Sequence, residues 1–453
     1  MACSSTAMCA KTVSSEVAGS CGFRHARVRI MAETPQRYSS AALRALAERG
    51  LLEQMSDAKA IDDDFATGTV TFYAGFDPTA SSLHAGHLWG IMALRLLQKA
   101  GHKPIVLVGG GTARIGDPSG RSEMRKMLDE QTLESNVASI ARQFARFLDF
   151  DAVRPNAATV IDNAKWLVGK RYIDFLREVG VHFTVNRMIA TKTYRDRLDN
   201  EQPLSFLEFN YQLLQAYDFL HLYDDASCTL QLGGSDQWGN MVAGVELIRR
   251  VSDRDHGPAH CLTWPLLTMA DGRKMGKTER GAVWLDPDLL SPFDYYQYWI
   301  GSDDRDVRKL LLVFTELGVE EIDALSALEG AELNRAKQRL AFEATKMAHG
   351  EDEARKAERA AQQAFGGSED WSAVPAVELP LAAVKLIDLV VDEPVKAFGS
   401  KRQAKQRIES GAVRIDGEIC KDPYRELRAE DLEDRTLRLQ AGKRCRFRVI
   451  LTG

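Results

Sequence analysis

Apolar residues recur at helical spacing over residues 39–55, where Leu43, Leu46, Leu51 and Leu52 mark one side. Two strand-like runs follow, at residues 70–73 and 105–108, each succeeded by glycine and then by a helical pattern. That alternation predicts βαβ units around a parallel sheet, an α/β fold. Residues 181–185 and 228–232 read as further strands, with one helix over residues 204–223 between them. From residue 291 to about 364, Glu, Ala, Lys and Leu dominate and strand signals vanish, which predicts a helical domain. Gly366, Gly367 and Ser368, with Pro375 and Pro380 beyond them, mark a linker. The chain then reads as a small α+β unit. Residues 401–410 form a helix with Ser400 as N-cap, and Asp416-Gly417 is a two-residue hairpin signal between runs at 413–415 and 418–420.

Composition changes this picture at the two ends. With 453 residues, 45% hydrophobic and 27% charged, the chain is an ordinary globular protein with room for several domains. The net charge is −5, but residues 376–453 hold 16 Lys and Arg against 13 Asp and Glu, a net of +3 that leaves −8 for the rest. A basic tail on an acidic body suggests a polyanionic partner for the tail. Cys3, Cys9, Cys21, Cys228, Cys261, Cys420 and Cys445 include no C-x-x-C pair, which argues against zinc and suits a reducing compartment. No apolar run reaches the ~18 residues of a membrane span. The first thirty residues are rich in Ser, Ala and Cys, with Lys11, Arg24, Arg27 and Arg29 against Glu16. A transit peptide has this composition. A start at Met31, or a disordered tail, accounts for it better, since Arg content is low and no clear amphipathic helix forms. The expected compartment is the cytoplasm, with a mitochondrion or other organelle as the alternative if residues 1–30 are a transit peptide.

Candidate chemistry begins with Tyr73-Ala74-Gly75-Phe76-Asp77-Pro78-Thr79 and the His84-Ala85-Gly86-His87 that follows it. Leu88, Ile91, Met92 and Leu96 then recur at helical spacing and Gly101 suits a stop, which places the histidines at a helix N-terminus. Backbone N–H groups and the helix dipole favour anions there. Gly86 leaves the backbone bare for a flat nucleotide, and imidazoles can donate to phosphate oxygens. Each preorganised donor aimed at developing charge is worth roughly 3–4 kcal/mol in a transition state. Alone, the motif fits a helix-capping histidine pair, a zinc site or a small nucleotidylyltransferase as well.

Far downstream, Lys274-Met275-Gly276-Lys277-Thr278 follows the turn signal Ala270-Asp271-Gly272 and is placed on a loop. Two lysines three apart, glycine between and a hydroxyl after, suit a triphosphate clamp. The ordered pair H-x-G-H and K-M-x-K-[ST] resembles the two signatures of the class I aminoacyl-tRNA synthetases. Ala85 and Gly276 depart from the commoner Ile and Ser, and both changes only shorten side chains.

Three further stretches sharpen the resemblance. Tyr211, Gln215 and Asp218 share one face of the helix over residues 204–223. Gln231-Leu232-Gly233-Gly234-Ser235-Asp236-Gln237-Trp238-Gly239-Asn240 follows a strand, and Gly109-Gly110-Gly111-Thr112 and Gly116-Asp117-Pro118-Ser119-Gly120 form a glycine-rich strand end. Together with the earlier motifs, over about residues 40–453, these resemble the tyrosyl-tRNA synthetases of the bacterial and organellar type. The resemblance implies that Tyr73 and Asp218 bond the substrate phenol. It puts Asp117, Tyr211 and Gln215 on the α-ammonium and Gln237 near the carboxylate. It places Gly75, Asp77, Gly86, Gly234, Asp236 and Lys277 on ATP, with Asp236 on the ribose. It puts Thr79, His84, His87, Lys274, Lys277 and Thr278 on the pyrophosphate side, and Arg121 and Arg125 as a mobile basic pair. Asn163 and Trp166 fit a neighbouring family motif more loosely. ATP with Mg2+, L-tyrosine and tRNA(Tyr) are the implied ligands, and a homodimer whose tRNA spans both subunits the implied assembly.

Near the C-terminus Lys401, Arg402, Lys405 and Arg407 share one helix, and Lys443, Arg444 and Arg446 add charge. With the hairpin this is similar to the small RNA-binding domain of the S-four type, and the four helix cations are the expected RNA contacts. The expected organisation is an extension at 1–38, disordered or targeting. A Rossmann-type catalytic domain with an inserted connective and dimerisation segment follows at 39–288. A helical anticodon-arm-binding domain occupies 289–365, a linker 366–382 and the RNA-binding domain 383–453. A tryptophanyl enzyme and a non-catalytic RNA-binding descendant of a synthetase remain as rivals.

Overall fold

The strand Thr71–Phe76 shows why this sequence makes a sheet covered on both faces. Phe72, Ala74 and Phe76 belong to one buried cluster and Tyr73 to another, so alternate residues enter opposite cores. The sheet comprises β1 (Gln54–Met55), β2 (Thr71–Phe76), β3 (Lys103–Val108), β4 (Thr159–Asp162), β5 (Cys228–Gly234) and β6 (His260–Trp264). Its order is β1-β6-β5-β2-β3-β4, parallel except for the β1–β6 pair. The chain leaves β2 toward β3 on one side, and β5 lies on the other. The carboxyl ends of β2, β3 and β5 therefore flank a crevice at the topological switch point, where α/β sheets bind ligands.

The computed structural model describes residues 38–119, 128–272, 275–278, 281–365, 374, 376–380, 383–442 and 445–452. The extension at residues 1–37, Arg121, Arg125, Lys274, Lys443 and Arg444 lie outside the described residues.

Several expected elements change. The helix expected over 39–55 is Ala41–Glu48, capped by Ser40 Oγ accepting from Leu43 N–H at 3.2 Å. Gly50, at φ 69°, turns the chain away, and Gln54–Met55 pairs with β6. Residues 181–185 are not a strand: Gly180–His182 is a 3-10 turn and Val185 opens the helix Val185–Ile189. Their apolar side chains face outward, Val181 67% and Val185 57% exposed. The helix expected over 204–223 splits at Asn210 into Phe206–Phe209 and Tyr211–Ala226. Ser205 and Glu208 close a capping box on the short piece. Strands β4 and β6 had no expectation. The expected strand at 228–232 is β5.

The helices between Pro292 and Phe365 pack into the same apolar cluster as one face of the sheet. Trp89, on the helix after the histidine motif, lies 6.0 Å from Phe314 between ring centroids, and Trp299 lies 5.0 Å from Phe314. The helical segment thus extends the core of the six-stranded sheet.

A second core fills the C-terminal unit. Its five-stranded sheet runs Glu418–Cys420, Val413–Ile415, Thr436–Ala441, Cys445–Leu451, Ala376–Leu379. Ala376–Leu379 falls in the stretch expected to be linker, but it pairs in parallel with Cys445–Leu451. The expected helix and hairpin both form: Ser400 Oγ accepts from Gln403 N–H at 3.3 Å, and Asp416 and Gly417 take φ 50° and 89°. Cys228, Cys261 and Cys420 are buried free thiols. Among the described residues no helix is long and apolar enough to cross a membrane.

Candidate active site

His84 is the N-cap of the helix Ala85–Lys99 and His87 its third residue. His84 Nδ1 accepts from Gly86 N–H and His87 Nδ1 accepts from His84 N–H, both at 3.1 Å. With Nδ1 accepting on each ring, the proton of the neutral tautomer sits on Nε2. The rings stack at 3.9 Å between centroids. The backbone thus takes Nδ1 of each ring at the helix N-terminus.

The second motif forms a hairpin rather than a plain loop. Lys277–Thr278 (β7) pairs with Gly281–Ala282 (β8), and the chain then runs antiparallel to the histidine turn. Ala85 N–H donates to Val283 O at 2.8 Å, and Leu285 N–H to Leu83 O at 2.9 Å. Gly276 sits on Gly86, at φ 86°, and a Cβ there would lie 2.6 Å from Gly86 N. Glycine at 276 is thus required twice, by its dihedral and by the close approach.

A buried glutamine fixes this junction. Gln143, at the end of the helix Glu130–Gln143, is 6% exposed, and its Oε1 accepts from Leu83 N–H at 3.0 Å. Ser82 Oγ lies 3.2 Å from the same oxygen and accepts from Asp286 N–H at 3.2 Å. On the same helix, Asn136 donates to Pro78 O at 3.0 Å.

At the mouth of the sheet, Asp218 is 2% exposed and accepts from Asn163 Nδ2 at 2.8 Å and Trp166 Nε1 at 2.7 Å. Burial pushes its carboxyl up to about 7, and these two donors oppose that rise. Burial first, and the nearby Asp218 charge second, hold the Tyr73 phenol well above its ordinary range. The Tyr73 hydroxyl is buried without a hydrogen-bond partner among the described residues.

A polar chain leads away from Asp218. Asn163 Nδ2 also donates to Thr112 Oγ1 at 3.1 Å, Thr112 Oγ1 donates to Asp77 Oδ1 at 2.9 Å, and Tyr211 donates to Asp77 Oδ2 at 3.4 Å. Side chains at the glycine-rich strand end would break it, because a Cβ on Gly109 would lie 2.2 Å from Asp77 Oδ1. Nearby, Gln237 Nε2 donates to Asp117 Oδ2 at 2.8 Å. Asn240 Nδ2 donates to Gln237 Oε1 at 3.2 Å and Gln215 Oε1 at 3.1 Å. Of the residues expected around an amino acid, Asp218 and Tyr211 therefore fall in the first network and Asp117, Gln215 and Gln237 in the second.

A family model for the class I tRNA synthetases (W and Y) matches residues 66–366. The chain belongs to this family. A Tyrosine--tRNA ligase SYY-like C-terminal domain matches residues 368–449. The chain is 48% identical over 399 residues to a Tyrosine--tRNA ligase of Clostridium botulinum, covering 88% of this chain and 96% of that one. It is 49% identical over 403 residues to that of Zymomonas mobilis, covering 89% and 96%. Among solved structures, a C-terminally truncated Aspergillus nidulans mitochondrial tyrosyl-tRNA synthetase superposes with a TM-score of 0.64 at 29% identity. That match covers 74% of this chain and 98% of the other.

In this class I synthetase the remaining expected positions lie at or just beyond the carboxyl ends of β2 and β5. Gly75 is exposed, and a Cβ there would meet nothing within 4 Å, so its face is open. Asp236 Oδ1 lies over Gly234, 2.7 Å from where a Cβ would be. Thr79 is exposed beside Asp77, its N–H donating to Asp77 O at 2.8 Å. Thr112, Gln143 and Asn240 had no role from the sequence. Asn240 closes the quoted glycine-rich motif and Thr112 ends the glycine run, so both were visible but unassigned. Gln143 carries no local signal at all.

The four helix cations of the C-terminal unit are not equivalent. Lys401 pairs with Asp388 at 2.7 Å and Lys405 with Glu409 at 3.9 Å. Arg402 and Arg407 are exposed, with no ion-pair partner among the described residues.

Proposed function

We propose that this chain activates L-tyrosine with ATP and transfers it to tRNA(Tyr). The observation that carries the reading is the Tyr73 hydroxyl, buried beside Asp218 without a hydrogen-bond partner among the described residues. A phenol both donates and accepts, so it can donate to Asp218 and accept from Tyr73 at once. An indole N–H only donates, and would leave Tyr73 unmatched. Phenylalanine would leave the buried Tyr73 hydroxyl unpaired, which costs about 1–3 kcal/mol, and would offer Asp218 no donor beyond Asn163 and Trp166.

In the first step a tyrosine carboxylate oxygen bonds to the α-phosphorus, and the bond to the bridging oxygen breaks as pyrophosphate leaves. Asp117, Tyr211 and Gln215 hold the ammonium and Gln237 lies near the reacting carboxylate. Gly75, Asp77, Gly86, Gly234 and Asp236 receive the nucleoside and α-phosphate. Thr79, His84, His87, Lys274, Lys277, Thr278, Arg121 and Arg125 act on the departing pyrophosphate. Mg2+ arrives on ATP's phosphates. In the second step the terminal ribose hydroxyl of tRNA attacks the tyrosyl carbonyl and AMP leaves. No side chain serves as covalent nucleophile; positioning and charge stabilisation carry the rate.

The chain works as a homodimer. Tyr172, Val185 and Phe206 are 57%, 57% and 68% exposed and border an apolar concavity of about 640 Å³. Apolar exposure on this scale suits a second copy. The compartment is cytoplasmic, and N-terminal sequencing of the native protein checks whether residues 1–30 persist.

ATP–pyrophosphate exchange with each amino acid in turn tests the reading. Tyrosine alone should support exchange. Exchange with tryptophan only assigns the other specificity, and none with any amino acid leaves a non-catalytic RNA-binding protein. Lys277→Ala should slow activation far more than it weakens tyrosine binding.

A further inference from the structure

The C-terminal sheet carries a second set of cations on the face opposite its core. Leu437, Leu439, Val413, Ile415, Val449 and Leu451 point into that core. Their neighbours along each strand therefore point outward. These are Arg414, Arg438, Gln440, Arg446 and Arg448. Strand register brings them together: Arg438 stands directly opposite Arg448, Gln440 opposite Arg446 and Arg414 opposite Gln440.

Three observations mark this face as unfinished. Like charges directly opposite across a strand pair destabilise a sheet, yet Arg438 faces Arg448. Among the described residues, Arg414, Arg438 and Arg448 have no carboxylate within ion-pair distance, whereas Lys401 and Lys405 on the helix do. Arg448 Nε is buried without a hydrogen-bond partner among the described residues. Acids nearby do not offset the charge. Glu378 lies at the far edge opposite Ile450, and the Asp416 carboxylate is occupied by the Arg438 backbone N–H at 2.9 Å. Next to Arg414, Ile419 is 49% exposed and supplies an apolar contact.

We infer that this arginine face is an RNA-binding surface, in which tRNA phosphates fill the space between Arg438, Arg448 and Arg414. The inference deepens the proposed function and rests on tRNA being the substrate. Guanidinium forks match phosphate oxygens, and a phosphate between two facing arginines converts repulsion into two charge-assisted contacts. Phosphates are the occupant rather than an acidic protein because the cations lie along neighbouring strands at regular spacing, as a backbone-tracking ligand requires.

The test is tRNA(Tyr) binding by fluorescence anisotropy over a salt series. The variants are full-length Arg438→Gln, Arg448→Gln, Arg414→Gln and, for the helix, Arg402→Gln. Each sheet variant should weaken binding and reduce the slope of log K against log salt by about one. ATP–pyrophosphate exchange should stay at the wild-type rate. Arg438→Gln or Arg448→Gln should also unfold at the same or a higher temperature, since a repulsion is removed. An unchanged slope in the sheet variants, with a reduced slope in Arg402→Gln, overturns the proposal and keeps tRNA as substrate. Salt-independent or absent tRNA binding by the wild type overturns the substrate reading itself. Competition by polyglutamate as strong as by RNA overturns the RNA assignment. If Arg448→Gln lowers the unfolding temperature sharply, the exposed Arg414→Gln decides.

Discussion

Asn163 donates its carboxamide to Asp218 Oδ2 at 2.8 Å, inside a site where Asp218 is 2% exposed. This bond and the Trp166 indole favour the charged carboxylate, while burial, the larger effect, favours the neutral acid. The balance leaves a group near neutrality where an ordinary aspartate would be ionised far below it.

A pH dependence follows from that balance. Asp218 titrates at about 7 in the folded chain, against 3.8 for the ordinary group. Between these values the folded state binds more protons than the unfolded one, so this group makes stability fall as pH rises from about 4 to 7. Asp218→Asn should therefore stabilise the free protein above pH 7, on the order of a few kcal/mol, with the advantage gone below about pH 4. Urea unfolding at several pH values measures it. Tyrosine binding should weaken below pH 7, as the protonated carboxyl loses an acceptor for the phenol. An advantage for Asp218→Asn that is flat with pH would show that Asp218 does not titrate in this range.

Tyr73→Phe separates stability from selectivity. The Tyr73 hydroxyl is buried without a partner among the described residues, so removing it should leave the melting temperature unchanged or higher. Selectivity for tyrosine over phenylalanine, measured by exchange, should fall about tenfold or more. A lower melting temperature with intact selectivity would mean that the hydroxyl serves the core and not the substrate.

Gln143 touches no expected substrate group, but it holds the backbone just before His84. Gln143→Met keeps the bulk and leaves the Leu83 N–H without its acceptor. The activation rate should fall by about tenfold, with tyrosine affinity unchanged, because a small displacement of the donors acts on the transition state. Gln143→Glu restores an acceptor and should recover much of the rate. Equal losses in rate and tyrosine affinity would count against a positioning role.

Gly276→Ala tests the contact between the two signature motifs. The new Cβ meets Gly86 N at 2.6 Å from a left-handed backbone, so the hairpin cannot keep its seat on the histidine turn. Activation should slow while tyrosine binding persists, as equilibrium dialysis with labelled tyrosine can show. A full activation rate would mean that the seated hairpin is not needed for the reaction.

Much of the chemistry was legible because it is local. His84 and His87 announce a helix start by spacing alone, and Asp416-Gly417 announces its hairpin, since capping and turn geometry are decided within a few residues. The heptapeptide from Tyr73 and the motif ending at Asn240 were equally visible. Short or mixed elements misled. Residues 181–185 are apolar like a strand, yet Val181 and Val185 are exposed on a surface that suits a second copy. Strand β4 gave no signal because its Thr159–Asp162 is short and mostly half-buried at the sheet edge.

The sequence by itself determined the two signature motifs, the polar face of the Tyr211 helix and the basic character of the tail. Each depends on residue type and near spacing. Only the tertiary structure decided that the lysine motif folds into a hairpin resting on Gly86, that Gln143 clamps the segment before His84, and that the Tyr73 hydroxyl is buried beside Asp218 without a partner among the described residues. It also decided which C-terminal cations are already paired with acids and which stand opposed across strands. Those relationships join residues far apart in the chain, and they arise from sheet order and register, which no local pattern encodes.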